Sequence, residues 1–409
     1  MEINGKNIDM DTFCIMPFLS VNNKWSGQIT PCCHFNYNQI QNSTSSNIND
    51  KTFTDIFNSS SDDFYNNIRR DFLDNKKISS CDTCWKQEAK GIVSLRNHKN
   101  IIYRDFINEE NILNPKIRHL ELCVANLCNL ACVHCWPGNS NQIEKEWNKF
   151  ENIPIIDQKK FSFNTSDIIE EDLHKMAPDL RRIDWSGGEP LLNDLYHRYI
   201  DYLVKNNYSK HIHLFHNSNG TVYKQDLINY WKHFKQVEIT FSIDGIGDKF
   251  EYMRYPGKWN NFLKNMDRYK ELKMQQEFVF DMRFLITVSS LNIMEVPAII
   301  ELLEPYGTVA LNFLFDPEYF AAYNLPQHMK DKINDYYNNL PSTIRDHVCC
   351  KEAVGYLNRD IEKQLCRDIH GIEREPILNL RDRLSKLDQR RNNSYEKSFP
   401  ESYKILFDK

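Results

Sequence analysis

Cys128, Cys132 and Cys135 stand in the run CNLACVHC, spaced C-x3-C-x2-C. Three thiolates at that spacing can hold three irons of a 4Fe-4S cluster and leave the fourth without a protein ligand, free to chelate a small molecule. A full set of four cysteine ligands would close the cluster and restrict it to storing or passing electrons. A second set lies upstream: Cys14, Cys32, Cys33, Cys81 and Cys84. Cys81 and Cys84 form a chelating C-x2-C pair. Cys14 and Cys32 flank a stretch that reads as a β-hairpin, FLSVNNKWSGQITPCC, whose strands can bring the two thiols together. Four thiolates would complete a closed 4Fe-4S site, and a four-cysteine zinc site has the same spacing.

The elements that must position these groups follow from the apolar pattern. Strands are expected at 119–125, 181–187, 211–217, 237–244, 280–288 and 309–315, with amphipathic helices such as 195–204 and 295–304 between them. Strand–helix alternation implies a parallel sheet with helical crossovers. Six such units make a partial (β/α)6 TIM-like barrel of the α/β class, with its chemistry where strands end and loops begin. Upstream, 54–73 reads as a helix and 38–50 as a polar loop. After Asp316 the strands stop, and 327–409 reads as helical and charged. The expected division is a cysteine-bearing unit at 1–100, the barrel at 115–320 and a helical region at 321–409.

Composition narrows the class. The 409 residues are 41% hydrophobic and 26% charged, with a net charge of -5. That is ordinary globular protein, too mildly charged to imply nucleic acid or an anionic membrane. No signal peptide is apparent, and no window approaches the roughly 20 apolar residues of a membrane span. Twelve cysteines in such a chain point to metal or catalytic use in a reducing cytoplasm rather than to disulfides.

The strand ends carry a further series. The second ends in Ser186-Gly187-Gly188-Glu189-Pro190, the third in His216-Asn217-Ser218-Asn219-Gly220, the fourth in Ser242-Ile243-Asp244-Gly245 with Arg254 beyond it. Two glycines permit close backbone approach, Glu189 can accept from a cationic amino group, and an arginine fork suits a carboxylate. With the cysteine run before them, these motifs resemble the radical S-adenosylmethionine (radical SAM) superfamily. The resemblance is strongest to members whose SPASM or twitch auxiliary-cluster segment precedes the barrel. GQITPCC, CDTCWKQE, DPEYFAAYNLP and LDQRRNNSYEKSFPE resemble that group and extend the likeness over nearly the whole chain.

The resemblance implies two 4Fe-4S clusters and SAM as cofactors. Cys128, Cys132 and Cys135 would hold the SAM cluster, and Cys14, Cys32, Cys81 and Cys84 the auxiliary one. Cys32 is preferred to Cys33 because it fits the G-x-x-x-P-C pattern. Gly187, Gly188 and Glu189 would hold the SAM amino group, and Ser242 and Arg254 its ribose or carboxylate. His134 and the backbone of Val288 would lie by adenine, and Asn217 would complete the SAM site. Cys350 is a candidate hydrogen donor to a substrate radical, although packing is the commoner role of a buried thiol. The implied reaction is reductive cleavage of SAM to a 5'-deoxyadenosyl radical that abstracts hydrogen from a substrate. Flavodoxin or ferredoxin is the expected electron donor. A ribosomally made peptide is the first substrate choice, and a sugar or nucleotide the second. A non-catalytic iron–sulfur or zinc scaffold is the rival class.

Overall fold

A computed structural model describes residues 2–24, 26–36, 47–48, 51–58, 64–89, 91, 93–123, 125–151, 167–359, 366–367 and 373–407. The central sheet has eight strands: β1 Ser20–Asn23, β2 Ile29–Thr30, β3 His119–Cys123, β4 Arg182–Ser186, β5 His213–Ser218, β6 Gln236–Ser242, β7 Phe280–Val288 and β8 Thr308–Phe313. Their spatial order is β8-β7-β6-β5-β4-β3-β1-β2. The six strands β3 to β8 are parallel and adjacent in chain order, which is the topology of a partial (β/α)6 barrel.

Alternation sorts each strand into two faces. Leu120, Leu122, Ile183, Trp185, Leu214, Val237, Ile239 and Phe241 are wholly buried on the outer face. The intervening positions are mostly polar, some buried (His119, Glu238, Thr240) and others partly exposed (Asn217, Ser242), and these point inward. The crossover helices include α1 Asp194–Lys205, α2 Trp259–Gln275 and α3 Val296–Leu303. Asn193 starts α1: its side chain accepts from the backbone N–H of Leu195 at 2.9 Å and of Tyr196 at 3.3 Å, satisfying two donors that a helix start leaves free.

The expected hairpin forms, with Asn22 opposite Thr30 and Gly27 at φ +78° in its turn. It also joins the barrel sheet: β1 runs parallel to β3, with Ser20 opposite His119 and Asn22 opposite Glu121. The single helix expected over 54–73 is two, Phe53–Asn58 and Phe64–Leu73; 59–63 lie outside the described residues. The polar loop expected at 38–50 also lies outside them, apart from Asn47 and Ile48.

Beyond the barrel the described residues are mainly helical, and Cys366–Arg367 pairs with Glu373–Arg374. The helix α4 Val348–Leu357 packs on β8. The helix α5 Pro376–Arg391 is tied to the barrel by ion pairs Arg383–Glu151 at 3.2 Å and Arg391–Glu146 at 2.8 Å. Among the described residues no helix is long and apolar enough to cross a membrane.

Candidate functional site

The loop after β3 carries the three barrel cysteines and takes its shape from its neighbours. Asn141 Oδ1 accepts from the Cys128 amide at 3.1 Å, and Ser140 Oγ donates to the Leu130 carbonyl at 2.6 Å. The amides of Ala131 and Val133 donate to the carbonyls of Tyr255 and Met253, at 2.6 and 2.8 Å. Those carbonyls flank Arg254, so the same bonds that hold the cysteine loop bring the guanidinium to Cys132. Arg254 Nη1 lies 3.9 Å from Cys132 Sγ, and Nη2 pairs with Asp244 at 2.8 Å.

Gly187 and Gly188 join β4 to this loop. Both have positive φ, +80° and +58°. A Cβ on Gly188 would lie 2.2 Å from the Leu127 carbonyl oxygen, and one on Gly187 2.5 Å from Cys123 Sγ. Only glycine allows this approach. The Glu189 amide then donates to the Leu127 carbonyl at 2.8 Å.

One cavity of about 320 Å³ results. Its lining includes Cys128, Cys132, Cys135, His134, Gly187, Gly188, Asn217, Ser242 and Arg254. Nine of the expected site residues, spread from Cys128 to Arg254, therefore share one space. Asp244, Asn219, Thr287, Asn312 and Leu314 line it too. Asn312 had a readable signal: it is the one polar side chain in VALNFLF, at an inward position of β8. Asp244 reads in sequence as a turn residue, and only the fold shows it holding Arg254 and accepting from the Thr287 amide at 2.9 Å.

Three expected residues lie elsewhere. Glu189 is fully buried outside the lining. Its carboxylate accepts from the Asn219 amide at 2.7 Å, Ser218 Oγ at 3.0 Å and the Leu191 amide at 3.3 Å. It ties the β4 and β5 loops together, and burial raises its pKa to about 7 against those bonds. Val288 is also fully buried, and its carbonyl accepts from the Leu314 amide at 3.1 Å. Thr287 and Leu314 reach the cavity instead. Cys350 sits in α4, which packs on the outer face of β8, where Cys349 Sγ lies 3.6 Å from the Val309 carbonyl. Asn312 faces the opposite way, so the sheet separates Cys350 from the cavity.

The upstream cysteines form a different space. Cys14, Cys32, Cys81 and Cys84 line one pocket with Met16, His34, Phe35, Phe72, Leu95 and Arg96. Cys81 closes a short 3-10 turn, and the helix Asp82–Glu88 places Cys84 one turn later on the same side. Arg96 braces the pocket: it pairs with Glu88 at 2.7 Å and donates to the Phe13 carbonyl at 2.7 Å. Cys33 is exposed and outside this lining.

Both sets suit a cationic cluster. Burial, then the neighbouring Cys132 sulfur, pushes the Cys128 thiol up to about 12; Cys135 is raised likewise. Burial and then Cys84 push Cys14 up to about 12 against a backbone hydrogen bond, and Cys32 and Cys81 rise further. Thiols that raise one another release their protons when a metal gathers them. Among the described residues no three His, Cys, Asp or Glu side chains are gathered closely enough to hold a lone metal ion; the sulfurs instead line shared pockets. In the barrel cavity both His134 ring nitrogens and Arg254 Nε are buried without a partner, polar atoms that a bound SAM could engage. His134, edge-on to Phe320 at 5.5 Å, is held neutral by burial, its pKa lowered to about 4.

Residues 122–309 match the radical SAM superfamily, and residues 14–85 match an iron-sulfur cluster-binding domain, SPASM. An uncharacterized protein of Methanocaldococcus jannaschii is 21% identical over 296 residues, covering 69% of this chain and 96% of that one. Among solved structures, anSMEcpe with bound AdoMet is 17% identical with a TM-score of 0.36, covering 54% of this chain and 60% of that one. Streptococcus suis SuiB bound to S-adenosylmethionine is 10% identical with a TM-score of 0.34, covering 65% and 60%. The chain thus spans less than two thirds of the length of these two. The cofactors are a 4Fe-4S cluster with SAM and a further iron–sulfur cluster. Residues 122–309, whose three thiols line the polar cavity, are thus similar to the radical SAM superfamily, and residues 14–85, with the four thiols of the separate pocket, to an iron–sulfur cluster-binding domain.

Proposed function

We propose that this protein is a radical SAM enzyme that modifies a ribosomally made peptide by crosslinking, epimerisation or oxidation. The observation that carries the radical SAM reading is the single polar cavity holding three thiols and the Arg254–Asp244 pair. The choice of a peptide rests on the sequence resemblance to peptide-modifying members. Bound there, the reduced cluster and SAM would supply a 5'-deoxyadenosyl radical able to abstract hydrogen from an unactivated carbon.

The chain's own residues bind and orient. Cys128, Cys132 and Cys135 hold the cluster. Arg254, fixed by Asp244, has Nε free for the SAM carboxylate. Asn217 and Ser242 hydrogen-bond the sugar, and His134 meets the adenine with a neutral ring. Gly187 and Gly188 let the backbone approach the amino group, with Glu189 holding their loop from behind. Cys14, Cys32, Cys81 and Cys84 hold the auxiliary cluster, and flavodoxin or ferredoxin supplies electrons. In this reading residues 1–100 form the auxiliary unit, 115–320 the barrel and 321–409 the helical region. The test is anaerobic incubation of iron-loaded enzyme with SAM, a reductant and precursor peptides encoded near its gene. A mass shift in a peptide, matched by 5'-deoxyadenosine, supports the reading. Productive turnover of a sugar or nucleotide with every peptide unchanged replaces it.

A further inference from the structure

A cavity of about 480 Å³ lies at the other end of the strands from the SAM cavity. Part of its lining runs just ahead of β1 and β3: Phe18 before one, Ile112 and Pro115 before the other. The cysteine loop and Gly187–Gly188 instead follow their strands. The remaining walls are the ribbon that pairs Glu2–Ile3 with Lys6–Asn7, and the helix Phe64–Leu73. The volume falls within the roughly 300–1,000 Å³ of small-ligand pockets. Buried Ile3, Ile8, Phe18 and Ile112 make the walls largely apolar. The polar lining residues are Asn4, Lys6, Asn66, Arg69 and Arg70, with no carboxylate among them. Lys6 is matched by Asp74 at 2.7 Å, and exposed Arg70 has no ion pair among the described residues.

Arg69 is the buried member, 7% exposed. A guanidinium has five N–H donors. Two are used: Nε donates to the Pro17 carbonyl at 2.9 Å, and Nη1 to Asn66 Oδ1 at 3.3 Å. Both acceptors are neutral, and the second bond is long. Nη2 is buried with no partner, and Arg69 has no ion pair among the described residues. The Phe57 ring lies 4.2 Å from the guanidinium carbon. It covers a face of the cation and leaves the donor edge open.

A buried cation with unused donors and no counter-ion is costly. An oxyanion entering the cavity would relieve that cost through a charge-assisted bond, and a planar carboxylate matches the arginine fork. Asn66 lines the same cavity, so the incoming oxygen would replace its weak bond to Nη1 and reach Nη2 beside it. The apolar walls would take the body that carries the acid. We propose that this cavity binds a carboxylate on an apolar body, gripped by Arg69 with Arg70 beside it. A free organic acid and an acidic side chain between apolar residues of a peptide share that chemistry. The inference does not rest on the proposed reaction, because the cavity stands apart from the barrel thiols.

The test is calorimetric titration of iron-loaded protein, with excess SAM and no reductant to keep acids away from Arg254. The probes are 3-phenylpropionate with its neutral amide, and acetyl-Leu-Glu-Leu-amide with its Gln counterpart. At least one acid should bind about tenfold more tightly than its neutral counterpart, or better. Tighter binding of the Glu peptide than of phenylpropionate assigns a peptide as the source, and the reverse assigns a free acid. Arg69→Met should abolish the preference for the acid. Leu113→Trp, at an exposed lining position, should fill the cavity and weaken acid binding about tenfold while leaving Arg69 in place. If Arg69→Met misfolds, Leu113→Trp decides. Equal affinity for each acid and its neutral counterpart, no binding of any probe, or undiminished acid binding by Leu113→Trp overturns the proposal.

Discussion

The two cysteine sites use the same side chain in opposite surroundings. The barrel cavity, about 320 Å³, sets its thiols among Asn217, Asn219, Ser242, Asp244 and Arg254. The N-terminal pocket, about 20 Å³, sets its thiols among Met16, Phe35, Phe72 and Leu95. The first has space and hydrogen-bonding groups for a ligand of the metal. The second is far smaller and mostly apolar apart from His34 and Arg96, and it carries a fourth thiol. The groups around the sulfurs, more than the sulfurs themselves, thus decide whether a cluster does chemistry or passes electrons.

The most severe break of this contrast is Cys128→Ala/Cys132→Ala/Cys135→Ala. Iron should fall from about eight to about four per chain, as one of two 4Fe-4S clusters is lost. Formation of 5'-deoxyadenosine should vanish. Chromatography of the reaction checks this, and undiminished product would reassign the open site.

The next effect falls on the closed site. Cys32→Ala should remove the auxiliary cluster, whereas Cys33→Ala should keep it, because Cys33 is exposed outside the pocket. Iron analysis and electron paramagnetic resonance distinguish the two. One zinc with about four irons in the native chain would make the closed site a zinc centre.

A smaller effect tests the polar lining. Arg254→Ala should weaken SAM binding about 10- to 150-fold with both clusters retained, and Arg254→Lys should recover part of it. Loss of Arg254 also strands the buried Asp244 carboxylate. The titration is therefore repeated with Arg254→Ala/Asp244→Asn. A defect that persists there belongs to SAM recognition, and wild-type affinity would leave Arg254 with a purely structural role.

The smallest effect lies behind the cavity. His216 is wholly buried on the outer face of β5, against Trp231 at 5.1 Å, and burial lowers its pKa to about 3. The unfolded chain takes up that proton near pH 6.5, while the folded chain does not until about 3. Its contribution is therefore full above pH 6.5 and is lost as pH falls, by about 1.4 kcal/mol per pH unit. Denaturant titrations from pH 7 to 5 should show a shallower slope for His216→Phe than for the native chain. Equal slopes would mean that His216 is already protonated when folded.

Much of the barrel was legible because its signals are local. The alternation in HLELC, RRIDWS and VEITFS fixes both strand and face, and the observed strands begin and end within two residues of those expected. The three-cysteine run and Gly187-Gly188 were readable for the same reason, since spacing and positive φ belong to the backbone itself. The attachment of the hairpin to β3 was not legible. Its pairing joins residues about 100 positions apart, and no local pattern specifies which sheet edge an edge strand will meet.

The sequence by itself determined which atoms could hold metal and which strand ends would carry chemistry, because residue type and periodicity are properties of short segments. Only the tertiary structure decided how those atoms were used. It turned Glu189 inward onto Asn219 and Ser218, put Cys350 behind the sheet, and paired Arg254 with Asp244. A side chain's partner is set by which loops the packed strands bring together, and that is a property of the whole sheet.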